Sequence, residues 1–187
     1  MSASPPGAPP VLVLFVCLGN ICRSPAAHAV AETLRAGVGF ARFDSAGTGN
    51  YHVGERPNPM SSIEGSHRGH RVDHVVRQIH PDDFQRFDLI IGMDSRNIED
   101  LERLRGGVDP RQGQYREMEP VQLHLLRRWD PYAMPGDEDL ADPWGKPPAA
   151  FSEMYDVIER TMPPLIDHLQ AMHRDYLSDD SADASND

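Results

Sequence analysis

The chain has 187 residues, enough for one ordinary domain that buries its own core without a metal or a disulfide. Its formal charge of -11, with the nine histidines neutral, excludes an electrostatic surface for nucleic acid or for an anionic membrane. Two cysteines are too few for the disulfide framework of a small secreted protein, and neither a signal peptide nor a membrane-spanning run is recognisable, so a cytoplasmic location is expected.

Both ends of the chain differ in composition from the part between them. Residues 1–10 are rich in Pro, Ser, Gly and Ala, and residues 177–187 are small and acidic. Such segments lack the apolar side chains that offset the entropy lost when a chain is ordered. We therefore expect a disordered segment over 1–10, one folded domain over 11–176 and a disordered acidic tail over 177–187.

The hydrophobic pattern predicts strands that alternate with helices. The run VLVLFVC, Val11 to Cys17, is typical of a buried strand, and Ser24 to Gly37 is predicted to be a helix with Ser24 near its N-cap. Further strands are predicted over Phe40 to Gly47, Phe87 to Asp94 and Val121 to Leu126, and further helices over Ser95 to Leu104 and from about Ala149 to Tyr176, the last one kinked or broken at Pro163 and Pro164. This alternation predicts an α/β domain with a parallel sheet and helices on both faces.

The loop CLGNICRS, Cys17 to Ser24, is predicted to bind an anion. Ligands of parallel sheets bind beyond the carboxyl ends of the strands, and N–H groups that lead into a helix form a nest for negative charge. Gly19 and Asn20 tolerate the backbone conformations of such a nest, and Arg23 is a bidentate partner for phosphate oxygens. Because such a field favours the thiolate form of a cysteine, Cys17 is predicted to be a nucleophile; the alternative is an inert core cysteine.

The same loop resembles the signature of the low-molecular-weight protein tyrosine phosphatases, and the similarity covers roughly residues 11–172. The segments DSAGTGNYHVG, HVVRQI, DDFQRFDLIIGMDSRNIEDL and DPWG, which begin at Asp44, His74, Asp82 and Asp142, follow in the family's order and spacing. The resemblance implies a four-stranded parallel sheet with the phosphate-binding loop between its first strand and first helix. It also implies hydrolysis of phosphotyrosine through a cysteinyl-phosphate intermediate, without a metal or another cofactor.

The resemblance assigns roles to the residues of the loop and its surroundings. Cys17 matches the nucleophile, Arg23 the phosphate-binding arginine, and Ser24 the serine that assists the thiolate, although Ser24 would also suit a plain helix cap. The other residues of the phosphate-binding loop are Leu18, Gly19, Asn20, Ile21 and Cys22, and the side chains expected to support the strained Asn20 are Ser45 and His74.

Departure of a tyrosine needs a proton donor, because its phenolate is a poor leaving group. Two Asp-Pro pairs are candidates, at Asp130 and at Asp142, and either would also suit a turn. The family's catalytic Asp-Pro lies just before the last helix, as Asp142 does. We therefore expect Asp142 to be the general acid and then the base. Asp94 matches an aspartate that we interpret as structural.

The resemblance also predicts the substrate pocket and a redox function. Tyr51 and Trp144 are the expected aromatic walls, although the family usually has two tyrosines where Trp144 and its neighbour stand. Asn58 is a second departure, because an acidic residue is usual there. Cys22 is expected to protect Cys17 by forming a reversible disulfide, unless it is only a small core residue.

Several alternatives remain open. His67, His70 and His74 have helical spacing but no accompanying ligands that would suit a metal. An arsenate reductase would need further cysteines, and an arginine phosphatase tends to have threonine in place of Ile21. A non-catalytic phosphopeptide-binding module would need neither the thiolate nor the proton donor. The expected partners are a phosphotyrosyl protein of a signalling pathway and inorganic phosphate or another oxyanion in the loop, and the expected state is a monomer.

Overall fold

The computed structural model describes residues 9–35, 39–106 and 121–183, with side chains described through residue 176. The N-terminal residues 1–8 and the last four residues, for which disorder is predicted, lie outside the described residues. The elements in chain order are β1 (Val11–Cys17), α1 (Arg23–Arg35), β2 (Ala41–Gly47), α2 (Pro59–His67), α3 (Asp83–Arg86), β3 (Leu89–Gly92), α4 (Ser95–Gly106), β4 (Gln122–Leu125), a 3-10 helix (Leu126–Trp129) and α5 (Pro148–Asp183).

The four strands form one parallel sheet in the order β2-β1-β3-β4. The predicted single-domain α/β fold with a four-stranded parallel sheet is therefore confirmed. Strand β1 lies between β2 and β3, and its last residue, Cys17, is paired with Gly47 at the end of β2. The loop that follows β1 thus starts at the carboxyl edge of the sheet, where parallel sheets bind ligands.

Side chains of β1 alternate between two cores, one on each face of the sheet. Val13 and Phe15 belong to a core that is covered by α1 and α5, whereas Leu14 and Val16 belong to a second core that α3 and α4 cover. A strand directs successive side chains to opposite faces, so a strand buried on both faces reads as a continuous apolar run. This burial holds β1, and therefore Cys17, firmly in place.

Three predicted features differ from the structure. Helices α2 and α3 were not predicted, because both are short and bury few apolar side chains. Helix α5 is not broken at Pro163 and Pro164, which both lie on its exposed side. Proline has no backbone N–H, so two helical hydrogen bonds are absent at this point. The buried neighbours Met162 and Leu165 pack into the core and stabilise the helix there. Helix α5 also continues to Asp183, into the predicted tail, since that stretch contains neither glycine nor proline.

Among the described residues, no helix combines the length and the apolar character that crossing a membrane requires.

Candidate active site

The loop between β1 and α1 is held in place by donors from neighbouring segments, which bond to its carbonyl oxygens. The donors are backbone N–H groups of the segments after β2 and before α2, and one hydroxyl group of α2. The pairs are Thr48 N to Cys17 O at 2.9 Å, Gly49 N to Leu18 O at 2.9 Å, Asn58 N to Ile21 O at 2.8 Å and Ser61 Oγ to Cys22 O at 3.1 Å. Within a peptide the N–H group points away from the carbonyl, and the Asn20 N–H, which donates to Cys17 Sγ at 3.2 Å, faces the interior of the loop as an anion nest requires.

Asn20 fixes the shape of this loop. Its φ of 54° makes it the one non-glycine residue with positive φ in the described part of the chain. Its side-chain Nδ2 donates to Ser24 Oγ at 2.9 Å and to Ser45 Oγ at 3.0 Å, and its Oδ1 accepts from the backbone N–H of Arg77 at 3.1 Å. Asn20, Ser24 and Ser45 are therefore brought together as the sequence predicts.

Cys17 lies at the bottom of the loop and is only 3% exposed. Its Sγ accepts a hydrogen bond from the backbone N–H of Asn20 at 3.2 Å and lies 3.1 Å from Ser24 Oγ. Donors of this kind stabilise negative charge on sulfur. Ser24 is the second residue of α1, and its hydroxyl contacts Cys17 and the carbonyl of Ala46.

His74 lies behind the loop, as a supporting residue should. Its pKa is lowered by burial and by the neighbouring His28, while the backbone of Asn20 acts in the opposite direction. The two imidazole rings are 6.1 Å apart, and His74 Nε2 is a buried atom without a hydrogen-bond partner in the described structure. Sequence analysis missed His28, because only the turn of α1 brings it to His74.

Arg23 connects the loop to two carboxylates. Its Nη1 donates to Asp94 Oδ2 at 2.5 Å and to the carbonyl of Leu140 at 3.1 Å, and its Nη2 donates to Asp142 Oδ2 at 2.8 Å. Burial opposes the charge of Arg23, but Cys17 and the two carboxylates outweigh it and raise the pKa of the guanidinium. Arg23 is therefore a permanent cation, held in a fixed orientation next to Cys17.

The two Asp-Pro pairs occupy different environments. Asp142 lies at the cavity above Cys17, its side chain is 44% exposed, and it accepts from the backbone N–H of Trp144 at 3.1 Å. The side chain of Asp130 is completely buried and is held by Arg127 and Arg160, whose hydrogen bonds hold its pKa well below the usual range. Asp130 is thus a permanent structural anion, and Asp142 is the one of the two carboxylates that lines the cavity with Cys17.

A cavity of about 310 Å³ opens above the loop. Its walls include the predicted aromatic residues Tyr51 and Trp144, which are 70% and 64% exposed and can enclose a flat ring. The cavity is also lined by His52, whose Nδ1 lies 2.9 Å from Glu55 Oε2. Sequence analysis missed His52, although its position next to Tyr51 in the segment after β2 was a usable signal.

Cys22 is buried in the same loop. Desolvation, together with the negative groups Cys17 and Asp142, raises the pKa of the Cys22 thiol to about 12. Cys22 is therefore a neutral thiol at physiological pH, unlike a reactive cysteine.

The unusual Asn58 caps α2, since its Oδ1 accepts from the backbone N–H of Met60 at 2.9 Å.

The three histidines that the sequence places at helical spacing do not converge. His70 lies between Thr33 and Glu159, whereas His74 lies beside His28. In residues 9–35, 39–106 and 121–183, no three side chains of metal-binding type come together.

Comparison with known proteins gives one consistent result. Residues 12–175 match the profile of a family described as low molecular weight phosphotyrosine protein phosphatase. A low molecular weight protein-tyrosine-phosphatase of Streptomyces coelicolor is 37% identical over 150 residues, which cover 79% of this chain and 86% of the relative. The crystal structure of a protein tyrosine phosphatase from Entamoeba histolytica, with Hepes in its active site, has a TM-score of 0.73 at 29% identity and covers 86% of this chain and 97% of its own. A Drosophila arginine phosphatase has a TM-score of 0.74 at 29% identity, covering 83% and 96%.

Proposed function

Because the chain belongs to the low-molecular-weight phosphotyrosine protein phosphatase family, we propose that it hydrolyses phosphotyrosine with the side chains gathered around Cys17. The proposal covers both the phosphotyrosine substrate and the residue that performs each step. The observation that carries it is the position of Cys17 Sγ, which accepts from the Asn20 N–H at 3.2 Å in a cavity also lined by Arg23 and Asp142.

In the first step, the Cys17 thiolate attacks the phosphorus atom and forms the S–P bond. The bond from phosphorus to the tyrosine oxygen breaks, and Asp142 gives its proton to that oxygen. Arg23 and the inward-facing N–H groups of the loop hold the phosphoryl oxygens through the transition state. Because Arg23 bonds Asp142 at 2.8 Å, a bound phosphoryl group competes with this carboxylate for the guanidinium.

In the second step, Asp142 acts as a base and removes a proton from water, which attacks the phosphorus atom. The S–P bond breaks, the electron pair returns to Cys17, and inorganic phosphate leaves. Ser24, with its hydroxyl 3.1 Å from Cys17 Sγ, stabilises the departing thiolate by hydrogen bonding. The same contact stabilises the thiolate before attack.

The shape of the cavity supports phosphotyrosine as the substrate. Tyr51 and Trp144 stand at its mouth and Cys17 at its bottom, so a long flat side chain reaches the sulfur and a short phosphoserine does not. The apolar Ile21 also lines the cavity and favours an aromatic ring over a guanidinium group. Phosphoarginine is the second candidate substrate, because the Drosophila arginine phosphatase has the same fold at 29% identity.

We further propose that the enzyme acts as a cytoplasmic monomer on phosphotyrosyl proteins, with residues 11–176 as its catalytic domain. The formal charge of -11, which disfavours association between copies, supports the monomer, and the family match over residues 12–175 supports the bounds of the domain.

The test is hydrolysis of a phosphotyrosyl peptide and of p-nitrophenyl phosphate in excess chelator. We expect the wild-type enzyme to hydrolyse both, and Cys17→Ser to lose at least about a thousandfold in kcat/KM. Phosphoarginyl and phosphoseryl peptides of the same sequence are the competing substrates. Activity that survives Cys17→Ser, or a preference for phosphoarginine, would contradict the proposal.

A further inference from the structure

Arg127 joins a buried carboxylate to the segment that carries the general acid. We call this segment, residues 137–144, the acid loop. Arg127 Nε donates to Asp130 Oδ2 at 2.9 Å, and its Nη1 donates to the backbone carbonyl of Asp139 at 3.0 Å. Nη1 also lies 3.7 Å from a carboxylate oxygen of Asp137. One guanidinium group therefore contacts both the protein core and the acid loop just before Asp142.

The core end of this connection is rigid. The Asp130 side chain is 0% exposed, and it accepts two hydrogen bonds from Arg160, both at 2.9 Å, besides the one from Arg127. The backbone N–H of Tyr132 adds a further bond at 3.0 Å. Since the side chain of Arg127 is only 12% exposed, its N–H groups donate to protein acceptors and have little contact with solvent.

The acid-loop end lies next to the catalytic groups. Leu140 N donates to Met93 O at 2.7 Å, and Leu140 O accepts from Arg23 Nη1 at 3.1 Å. The Asp139 carboxylate accepts from the N–H and the hydroxyl of Ser95. During turnover Arg23 must also bind phosphoryl oxygens, so its hold on the acid loop competes with the substrate. The contact from Arg127 lies outside that competition.

We propose that Arg127 is a positioning residue for the general acid: it holds the Asp139 carbonyl so that Asp142 reaches the leaving oxygen. This inference rests on the proposed function of Asp142. A displacement of about 1 Å at a reacting group is enough to cost up to a hundredfold in rate. The loss falls on the step that needs the proton, which is departure of the phenol.

The test compares leaving groups, because a merely structural defect does not discriminate between them. The kcat/KM value covers the steps through release of the phenol. Arg127→Met is expected to lower kcat/KM about tenfold for a phosphotyrosyl peptide, whose phenol has a pKa near 10. For p-nitrophenyl phosphate, whose phenolate leaves without help, the expected change is less than about twofold. Asp142→Asn, which removes the proton donor itself, is expected to lower kcat/KM for the phosphotyrosyl peptide further still relative to p-nitrophenyl phosphate.

Arg160→Met is the matched control. It removes the other arginine from Asp130, together with two hydrogen bonds to that carboxylate, but Arg160 has no described contact with the acid loop. Its ratio of kcat/KM between the two substrates should equal that of the wild type. Arg127→Lys, which keeps a cation beside Asp130 but cannot bridge both acceptors with separate nitrogens, repeats the test if Arg127→Met does not fold.

An unchanged ratio in the Arg127 variants, or an equal change in Arg160→Met, would overturn the positioning role. Neither result would affect the proposed function, which depends on the activity of the wild type and its loss in Cys17→Ser. Thermal unfolding of all variants establishes that folded protein is being compared.

Discussion

His28 and His74 form a half-buried pair behind the phosphate loop, and we expect this pair to link the protein's stability to pH. Burial is the main cause that lowers the pKa of each imidazole below its ordinary value of 6.5. The charged groups that face the pair are Asp44, Glu32 and Asp73, and all three act in the opposite direction. The neutral form of both histidines is therefore the one that the fold accommodates.

A lowered pKa in the folded state means that the unfolded chain binds more protons as pH falls through 6.5. The contribution of the pair is fully present above that pH and is lost as the pH falls toward the folded-state values. We expect His28→Gln to flatten the fall in the free energy of unfolding between about pH 7 and pH 5. Urea denaturation of both proteins across this range measures it. Parallel curves would show that the pair does not titrate on unfolding.

Cys22 is a neutral thiol that we expect to protect Cys17 from irreversible oxidation. Peroxide converts the Cys17 thiolate to a sulfenic acid, and the Cys22 thiol then displaces water and forms a disulfide. Formation of the sulfenic acid removes the negative charge of Cys17, which is one of the causes that raise the pKa of the Cys22 thiol, so oxidation of Cys17 favours the attack by Cys22.

The prediction for Cys22 concerns recovery after a peroxide pulse. Dithiothreitol should restore most of the wild-type activity, and Cys22→Ser should recover a smaller fraction because its sulfenic acid is oxidised further. The fraction of activity regained with p-nitrophenyl phosphate measures the difference. Equal recovery of both proteins would leave Cys22 as a core residue only.

Strand β2 supports the phosphate loop through a close backbone contact at Gly47. A Cβ atom at this position would lie 2.8 Å from the carbonyl oxygen of Leu18 and 3.2 Å from the backbone nitrogen of Asn20. Both atoms belong to the loop backbone, which cannot move aside as a flexible side chain does. The strand and the loop therefore fit together only with glycine at residue 47.

Gly47→Ala is expected to displace the loop and to lower kcat/KM at least about tenfold for both aryl substrates. Gly106→Ala is the control, since among the described residues no atom outside its own helix and its chain neighbours lies within 4 Å of the added Cβ. Steady-state kinetics, with circular dichroism to confirm folding, decides the outcome. A Gly47→Ala enzyme with wild-type kcat/KM would show that the loop tolerates the displacement.

The sequence predicts best those elements whose conformation follows from their own hydrophobic pattern. Strand β1 begins and ends as predicted, at Val11 and Cys17, because an apolar run buried on both faces meets a glycine-containing loop. Helix α2 has no such pattern and depends on partners from elsewhere, such as the hydrogen bond from Tyr155 Oη to Ser61 O at 2.9 Å. The continuity of α5 through Pro163 likewise follows from packing against the core, which local sequence preferences do not predict.

The site shows the same division. Cys17 and Arg23 are predictable because their chemistry is visible in one short motif, whereas Asp142 is preferred to Asp130 through the family resemblance. The structure gathers all three at one cavity. His28 and Arg127 are not predictable, since their importance comes from contacts with segments far away in the sequence. Burial of Asp130 also appears only in the folded chain, and it distinguishes this carboxylate from Asp142.

The whole molecule should not need its acidic end. Removal of residues 177–187 is expected to leave kcat/KM unchanged and to alter the free energy of unfolding by less than about 0.5 kcal/mol. The described core residues of α5, among them Leu165 and Leu169, precede the cut. A chain that ends at residue 167, and so loses Leu169, should be less stable by at least about 2 kcal/mol. Urea denaturation compares the full chain with the two truncated chains. A large loss in the free energy of unfolding on removal of residues 177–187 alone would place part of the domain beyond residue 176.

The proposed mechanism requires that Cys17 carries a phosphoryl group during turnover. Quenching the enzyme in acid during turnover of a phosphotyrosyl peptide, followed by mass spectrometry of its proteolytic fragments, observes this intermediate directly. We expect one phosphoryl group on the fragment that contains Cys17, and none in Cys17→Ala. A turning-over enzyme that carries no phosphoryl group, or carries it on another residue, would contradict the account.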